Sequence, residues 1–175
     1  MCCLRFQPSW EAGGWALLCF LLLGLAVIDA ETLLLPDAFT LPGLGAGILF
    51  SGLRGGIRGV GSSLLAAAAG AATLLLISGA YWLMRRRTGM GMGDVKLMAM
   101  LGAWLGLRQA ALVLFLGVMI GALYGVGVVL FERRKDDRVP AGQLPVPFGT
   151  MLCAAGFYSL FLGQRTLEWY LKFFH

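Results

Sequence analysis

Six stretches of the chain are predominantly apolar: residues 13–28, 39–53, 62–83, 95–107, 110–131 and 148–162. Apolar runs of this kind predict membrane helices, because about 20 such residues in a helix span the hydrocarbon core of a bilayer. The stretch 62–83 is the most uniform, with four successive alanines from Ala66 to Ala69 in its first half. The stretch 39–53 carries Pro42, Gly43, Gly45 and Gly47, and a kinked or irregular helix is expected there. The stretch 95–107 is short for a span, so it either extends towards the glycine-rich residues before it or is re-entrant. In 110–131, Gly117, Gly121 and Gly125 recur every four residues on one helix face, where small residues let a neighbouring helix approach closely. The predicted architecture is all-α: a polytopic integral membrane helix bundle with about six transmembrane segments. It reads as a single membrane-embedded domain over residues 1–175, with a core from about residue 10 to 162.

Composition narrows the class. Of 175 residues, 59% are hydrophobic and 13% charged, whereas a soluble domain is nearer half apolar and a quarter charged. Mean hydropathy is +0.82. The formal net charge of +5 is scattered over loops between apolar runs, which argues for topology-setting charges and against nucleic acid as a partner. The lipid bilayer is the expected surrounding. Cys2 and Cys3 are adjacent, while Cys19 and Cys153 lie inside apolar runs. No CxxC pair is present, so a zinc knuckle is excluded on spacing, and neither metal nor cofactor is expected.

Basic residues set the expected orientation. Arg85, Arg86 and Arg87 follow the third stretch, and Arg133, Arg134, Lys135 and Arg138 follow the fifth. With these and Lys96 on the cytoplasmic side, eight basic residues lie inside, against six outside: Arg5, Arg54, Arg58, Arg108, Arg165 and Lys172. With six segments, the ends carrying Asp29 and Asp94 face the same side whichever way the bundle is inserted. The first segment is expected to be retained, because Ile28 stands where a signal cleavage after Ala30 prefers a small residue.

A carboxylate at the border of a bilayer is expensive, and Asp29 and Asp94 both occupy such borders. Two carboxyl groups that meet can activate water, one ionised and one protonated, since like charges a few ångströms apart separate their titrations. Gly89, Gly91 and Gly93 beside Asp94 would let a substrate strand approach the backbone. Pro36 and Asp37 are expected to end the first helix near the interface. Proton or ion conduction is the competing use of such carboxylates, although a relay places them deeper in the membrane.

Three blocks carry a resemblance. The run Ile28-Asp29-Ala30-Glu31-Thr32-Leu33-Leu34-Leu35-Pro36-Asp37-Ala38-Phe39-Thr40-Leu41-Pro42 resembles the first catalytic block of the type IV prepilin peptidases. Gly91-Met92-Gly93-Asp94-Val95-Lys96-Leu97, followed by Gly102-Ala103-Trp104-Leu105-Gly106, is similar to their second. Pro147-Phe148-Gly149 is similar to the stretch that opens their last helix. The resemblance implies a membrane aspartic endopeptidase of the GxGD type in the bacterial inner membrane. Such an enzyme cuts the short basic leader from prepilins or type II secretion pseudopilins at the cytoplasmic face. It implies Asp29 and Asp94 as the catalytic pair, with Gly91, Gly93, Lys96, Pro36 and Asp37 as supporting motif residues and no metal. Lys96 would hold either the Asp94 loop or the substrate. Many members also carry an N-terminal region with two CxxC pairs and methylate the new N-terminus. This sequence shows no such region, which makes methyltransferase activity doubtful and leaves three accounts open: a natural short form, a truncated start or a degenerate paralogue. The alternative function is a catalytically inactive paralogue, or a small membrane transporter or binding partner using the same carboxylates.

Overall fold

Helix is the only regular structure among the described residues, as expected of an apolar chain whose backbone groups must pair within each segment. The computed structural model describes residues 9–85, 91–132 and 148–173. They form α1 (Ser9–Thr32), α2 (Asp37–Arg85), α3 (Met92–Leu105), α4 (Leu107–Glu132) and α5 (Phe148–Phe173). Three described stretches are long and apolar enough to cross a membrane: Trp10–Thr32 in α1, Asp37–Met84 in α2 and Leu107–Gly127 in α4. The protein is thus an all-α bundle with membrane-spanning helices.

The second and third apolar stretches are two helical arms, joined across a kink within α2. The single non-helical residue between them is Gly56, with φ 59° and ψ −147°. That region is open almost only to glycine, and it reverses the chain without a loop. The reversal shows in how the arms meet α3. Along the first arm, Gly43 lies against Met100 and Gly47 against Trp104. Along the second, Ser63 Oγ donates to Ala103 O at 2.9 Å, Ala66 backs onto Gly102 and Gly70 onto Met98. Rising numbers on α3 match rising numbers on one arm and falling numbers on the other, so the arms are antiparallel. The irregularity expected around Pro42 is absent: the helix carries through the proline, held to α3 by the Trp104 indole N–H on Gly43 O at 2.8 Å.

Helix α3 is the axis of the bundle. Nine of its 14 residues are buried, among them Leu97, Met98, Met100 and Leu101. Its length of about 21 Å falls short of a bilayer core of about 30 Å. Such a helix is tolerated at membrane depth because most of its length is buried in protein. It also starts earlier than the apolar run suggested: Met92 begins it, so Asp94 stands in its first turn and not in a loop. Gly106, at φ 79°, closes it and hands the chain directly to α4. Of the four-residue glycine stripe on α4, Gly117 meets Leu152 and Gly121 meets Phe148 of α5, while Gly125 faces open space.

The two ends of the bundle differ. At one, Glu11 pairs with Arg54 at 3.3 Å, beside a cluster of Trp15, Phe50 and Trp104 in edge-on and tilted contact. The other gathers Asp29, Asp37, Asp94, Lys96 and Thr150.

Candidate active site

Asp29 lies in the last full turn of α1 and is 4% exposed. Helix α1 stops three residues later, at Thr32. Leu33 adopts a left-handed φ of 55°, and its N–H caps the helix on Asp29 O at 2.9 Å. A non-glycine residue there costs about 1–2 kcal/mol. Leu34 to Pro36 then run without regular structure, as the residue before a proline favours. Pro36 O receives the N–H groups of Phe39 and Thr40, which starts α2 at Asp37. This short link carries Leu35 across the site.

Asp94 is 8% exposed in the first turn of α3. Its backbone N–H donates to Gly91 O at 3.2 Å, and Gly91 caps the helix in an extended conformation. Burial, with the nearby charge of Asp29 second, raises the Asp94 carboxyl from 3.8 to about 6, against an opposing hydrogen bond with the Gly91 backbone. The two aspartates, 65 positions apart in sequence, are therefore electrostatic neighbours in the fold.

The first turn of α5 completes the cluster. The Thr150 backbone N–H donates to Asp29 Oδ2 at 2.6 Å, and its hydroxyl Oγ1 donates to the same oxygen at 2.9 Å. Gly149 leaves the room for this: a Cβ there would lie 2.9 Å from Asp29 Cγ and Oδ2 and from Leu35 Cδ1. Gly93 is pressed in the same way, with Leu35 Cβ 2.8 Å from where its own Cβ would be. Leu35 thus sits between the glycines of the second and third blocks. Cys153, one turn further along α5, is buried within electrostatic range of both carboxylates.

The supporting residues take distinct places. Lys96 donates from Nζ to Asp37 Oδ1, an exposed ion pair tying α3 to the start of α2. Lys96 is thereby directed at the link between α1 and α2, not at either candidate carboxylate. Gly91 and Pro36 shape helix starts, and Gly93 is a contact point. Gly89, the arginine cluster's Arg86 and Arg87, the basic residues from 133 to 138, and Pro147 lie outside the described residues. Thr150 was not singled out from sequence. Its position, directly after Pro-Phe-Gly at a helix start where N–H groups lack partners, was the available sign.

Comparison with known proteins bears on this arrangement. The model of the type IV leader peptidase family matches residues 16–126, a stretch holding both aspartates. The chain belongs to the type IV leader peptidase family. Among relatives in that family, the prepilin leader peptidase/N-methyltransferase of Aeromonas salmonicida is 38% identical over 169 residues, covering 97% of this chain and 56% of the relative. That of Pseudomonas aeruginosa is 35% identical over 173 residues, again 97% and 56%. That of Neisseria gonorrhoeae is 41% identical over 137 residues, 78% of this chain and 48% of the relative. The chain therefore spans about half the length of these relatives. No solved structure matches it.

Proposed function

We propose that the protein is a membrane aspartic endopeptidase that removes the basic leader from prepilins or type II secretion pseudopilins. Asp29 and Asp94 activate water between them. The observation that carries this reading is the meeting of the two family-block aspartates in one buried, electrostatically coupled pair. Family membership and the similarity to prepilin leader peptidases supply the substrate class. One carboxyl takes a proton from water while the other gives one to the scissile carbonyl oxygen, forming a tetrahedral diol. Collapse of the diol, with proton return to the amide nitrogen, breaks the C–N bond. Leu35 and the two glycines against it form a narrow wall beside the pair, suited to an extended backbone. The proposal covers the cleavage step alone.

In this reading the bundle crosses the bacterial inner membrane about six times, each arm of α2 counting once, with the aspartate end in the cytoplasm. The test is cleavage of a co-expressed leader-bearing prepilin by Asp29→Asn and Asp94→Asn. Both variants should insert in the membrane at normal levels and lose leader removal by at least about a thousandfold, as expected when an acid or base of a pair is removed. Normal processing by either variant would end the two-aspartate mechanism.

A further inference from the structure

We infer that Thr150 is a positioning residue that holds Asp29 as the proton acceptor of the pair and leaves Asp94 as the proton donor. This rests on the two-aspartate reading above and divides its roles.

Both Thr150 donors end on one oxygen, Asp29 Oδ2. The amide can only donate, so that oxygen is an acceptor in every state of the site. Thr150 is the third residue of α5, and its N–H belongs to the first turn, where amides have no partner within the helix and the helix end is electropositive. Donors aimed at a carboxylate favour its charged form over its neutral one. Oδ1 receives no hydrogen bond from the described residues, which leaves it as the oxygen to take a proton. Among the described residues no side chain donates to the Asp94 carboxyl, which has only a hydrogen bond with the Gly91 backbone. Burial and the neighbouring charge make its ionisation unfavourable, and its carboxyl keeps a proton up to about pH 6.

The Thr150 hydroxyl adds a second feature. Its Oγ1 lies 2.9 Å from Asp29 Oδ2 and 3.1 Å from Ala26 O. One proton has two acceptors within reach. It can point at Asp29 while the carboxylate is charged and turn to Ala26 once water's proton has arrived, with no heavy atom moving.

The sequence of steps balances. A water proton passes to Asp29 Oδ1 as the water oxygen bonds to the carbonyl carbon. The Asp94 proton goes to the carbonyl oxygen, which takes the π electrons. Asp29 then gives its proton to the amide nitrogen, the C–N bond breaks towards nitrogen, and the diol returns a proton to Asp94. Acid, amine and the original protonation of the pair result. Among the described residues, the titratable groups facing Asp29 are Asp94 from α3 and Cys153 from α5. Lys96 of α3 is engaged by Asp37 of α2.

The experiment compares the full chain in detergent with Thr150→Val and Thr150→Ser. Its probe is a peptide with a short basic leader joined to an apolar helix, followed across pH. Thr150→Val should lower kcat on the order of tenfold with KM unchanged, since one hydrogen bond to a charged group is lost. It should also change the pH dependence of kcat, which a purely structural role would leave as it is. Thr150→Ser should recover most of the rate. A Val variant with wild-type rate and profile overturns the inference, as does a Ser variant impaired as much as Val. Asp29→Asn and Asp94→Asn run alongside separate the two failures. If both are inactive while Thr150→Val is normal, only the role of Thr150 falls; if either cleaves normally, the aspartate mechanism falls with it. Infrared difference spectra need no turnover. At about pH 5, the protonated-carboxyl band of the pair should vanish in Asp94→Asn and persist in Asp29→Asn, and the reverse pattern overturns the assignment.

Discussion

Asp94 shows at the residue scale what a buried carboxyl does to a fold. Its carboxyl rises from 3.8 to about 6, mainly through burial. The folded state therefore tolerates the protonated form better than the ionised one. Stability is greatest below the unfolded value near pH 4, falls as pH climbs, and the loss is complete above about pH 6. Asp94→Asn should then unfold at a higher temperature than the parent at about pH 7.5, with the gap closing towards about pH 4. A gap of equal size at both pH values would show that the charge of Asp94 is not its cause. The chemistry-bearing residues Asp29 and Asp94 were visible in the sequence because charge is rare in apolar runs. Thr150 was not, because a threonine beside an apolar helix start is common and only its distance to Asp29 distinguishes it.

At the scale of elements, the apolar stretches located the helices, but not how they join or where they stop. Residues 54–61 read as a polar, glycine-rich break, yet they stay helical on both sides of one residue. Gly56 has open space where a Cβ would go, so a substitution there meets no neighbour and acts through the backbone alone. Gly56→Ala should destabilise by about 1–3 kcal/mol, the cost of a side chain in that φ/ψ region. Gly55→Ala, also in open space, is the control and should be neutral or slightly stabilising. Equal unfolding midpoints for the two variants in detergent would show that the reversal does not depend on the Gly56 dihedral. Pro42 misled in the opposite sense. The helix continues past the missing amide, with Gly43 and Gly47 packed against α3 and Gly43 O taken by the Trp104 indole. The start of α3 at Met92 was similarly hidden: hydropathy begins its run at Val95, whereas the backbone helix takes in the Gly-Asp pair before it.

Over the whole molecule, polarity separates the two ends of the bundle along α1. Glu11 and Asp29 are 18 residues apart, a rise of about 27 Å, close to the thickness of a hydrocarbon core. The Arg54 and Arg58 reversal belongs to the Glu11 end, and Glu31, Asp37 and Lys96 to the other. In the proposed orientation, a single cysteine at Glu31→Cys should react with an impermeant thiol reagent only after cells are opened, and one at Arg58→Cys from outside. Both are placed in a background lacking Cys2, Cys3, Cys19 and Cys153. The reverse labelling would place the aspartates outside and end the cytoplasmic assignment. What the sequence by itself determined is what composition and local pattern can carry: an apolar helical chain, two aspartates at its polar borders, and blocks that mark its family. Only the tertiary structure decided that Asp29 and Asp94 share a buried site, that Lys96 turns to Asp37, and that the start of α5 donates to Asp29. Periodicity and hydropathy act over a few turns of one helix. These contacts join residues 59 to 121 positions apart, and only the packing around α3 sets their distances.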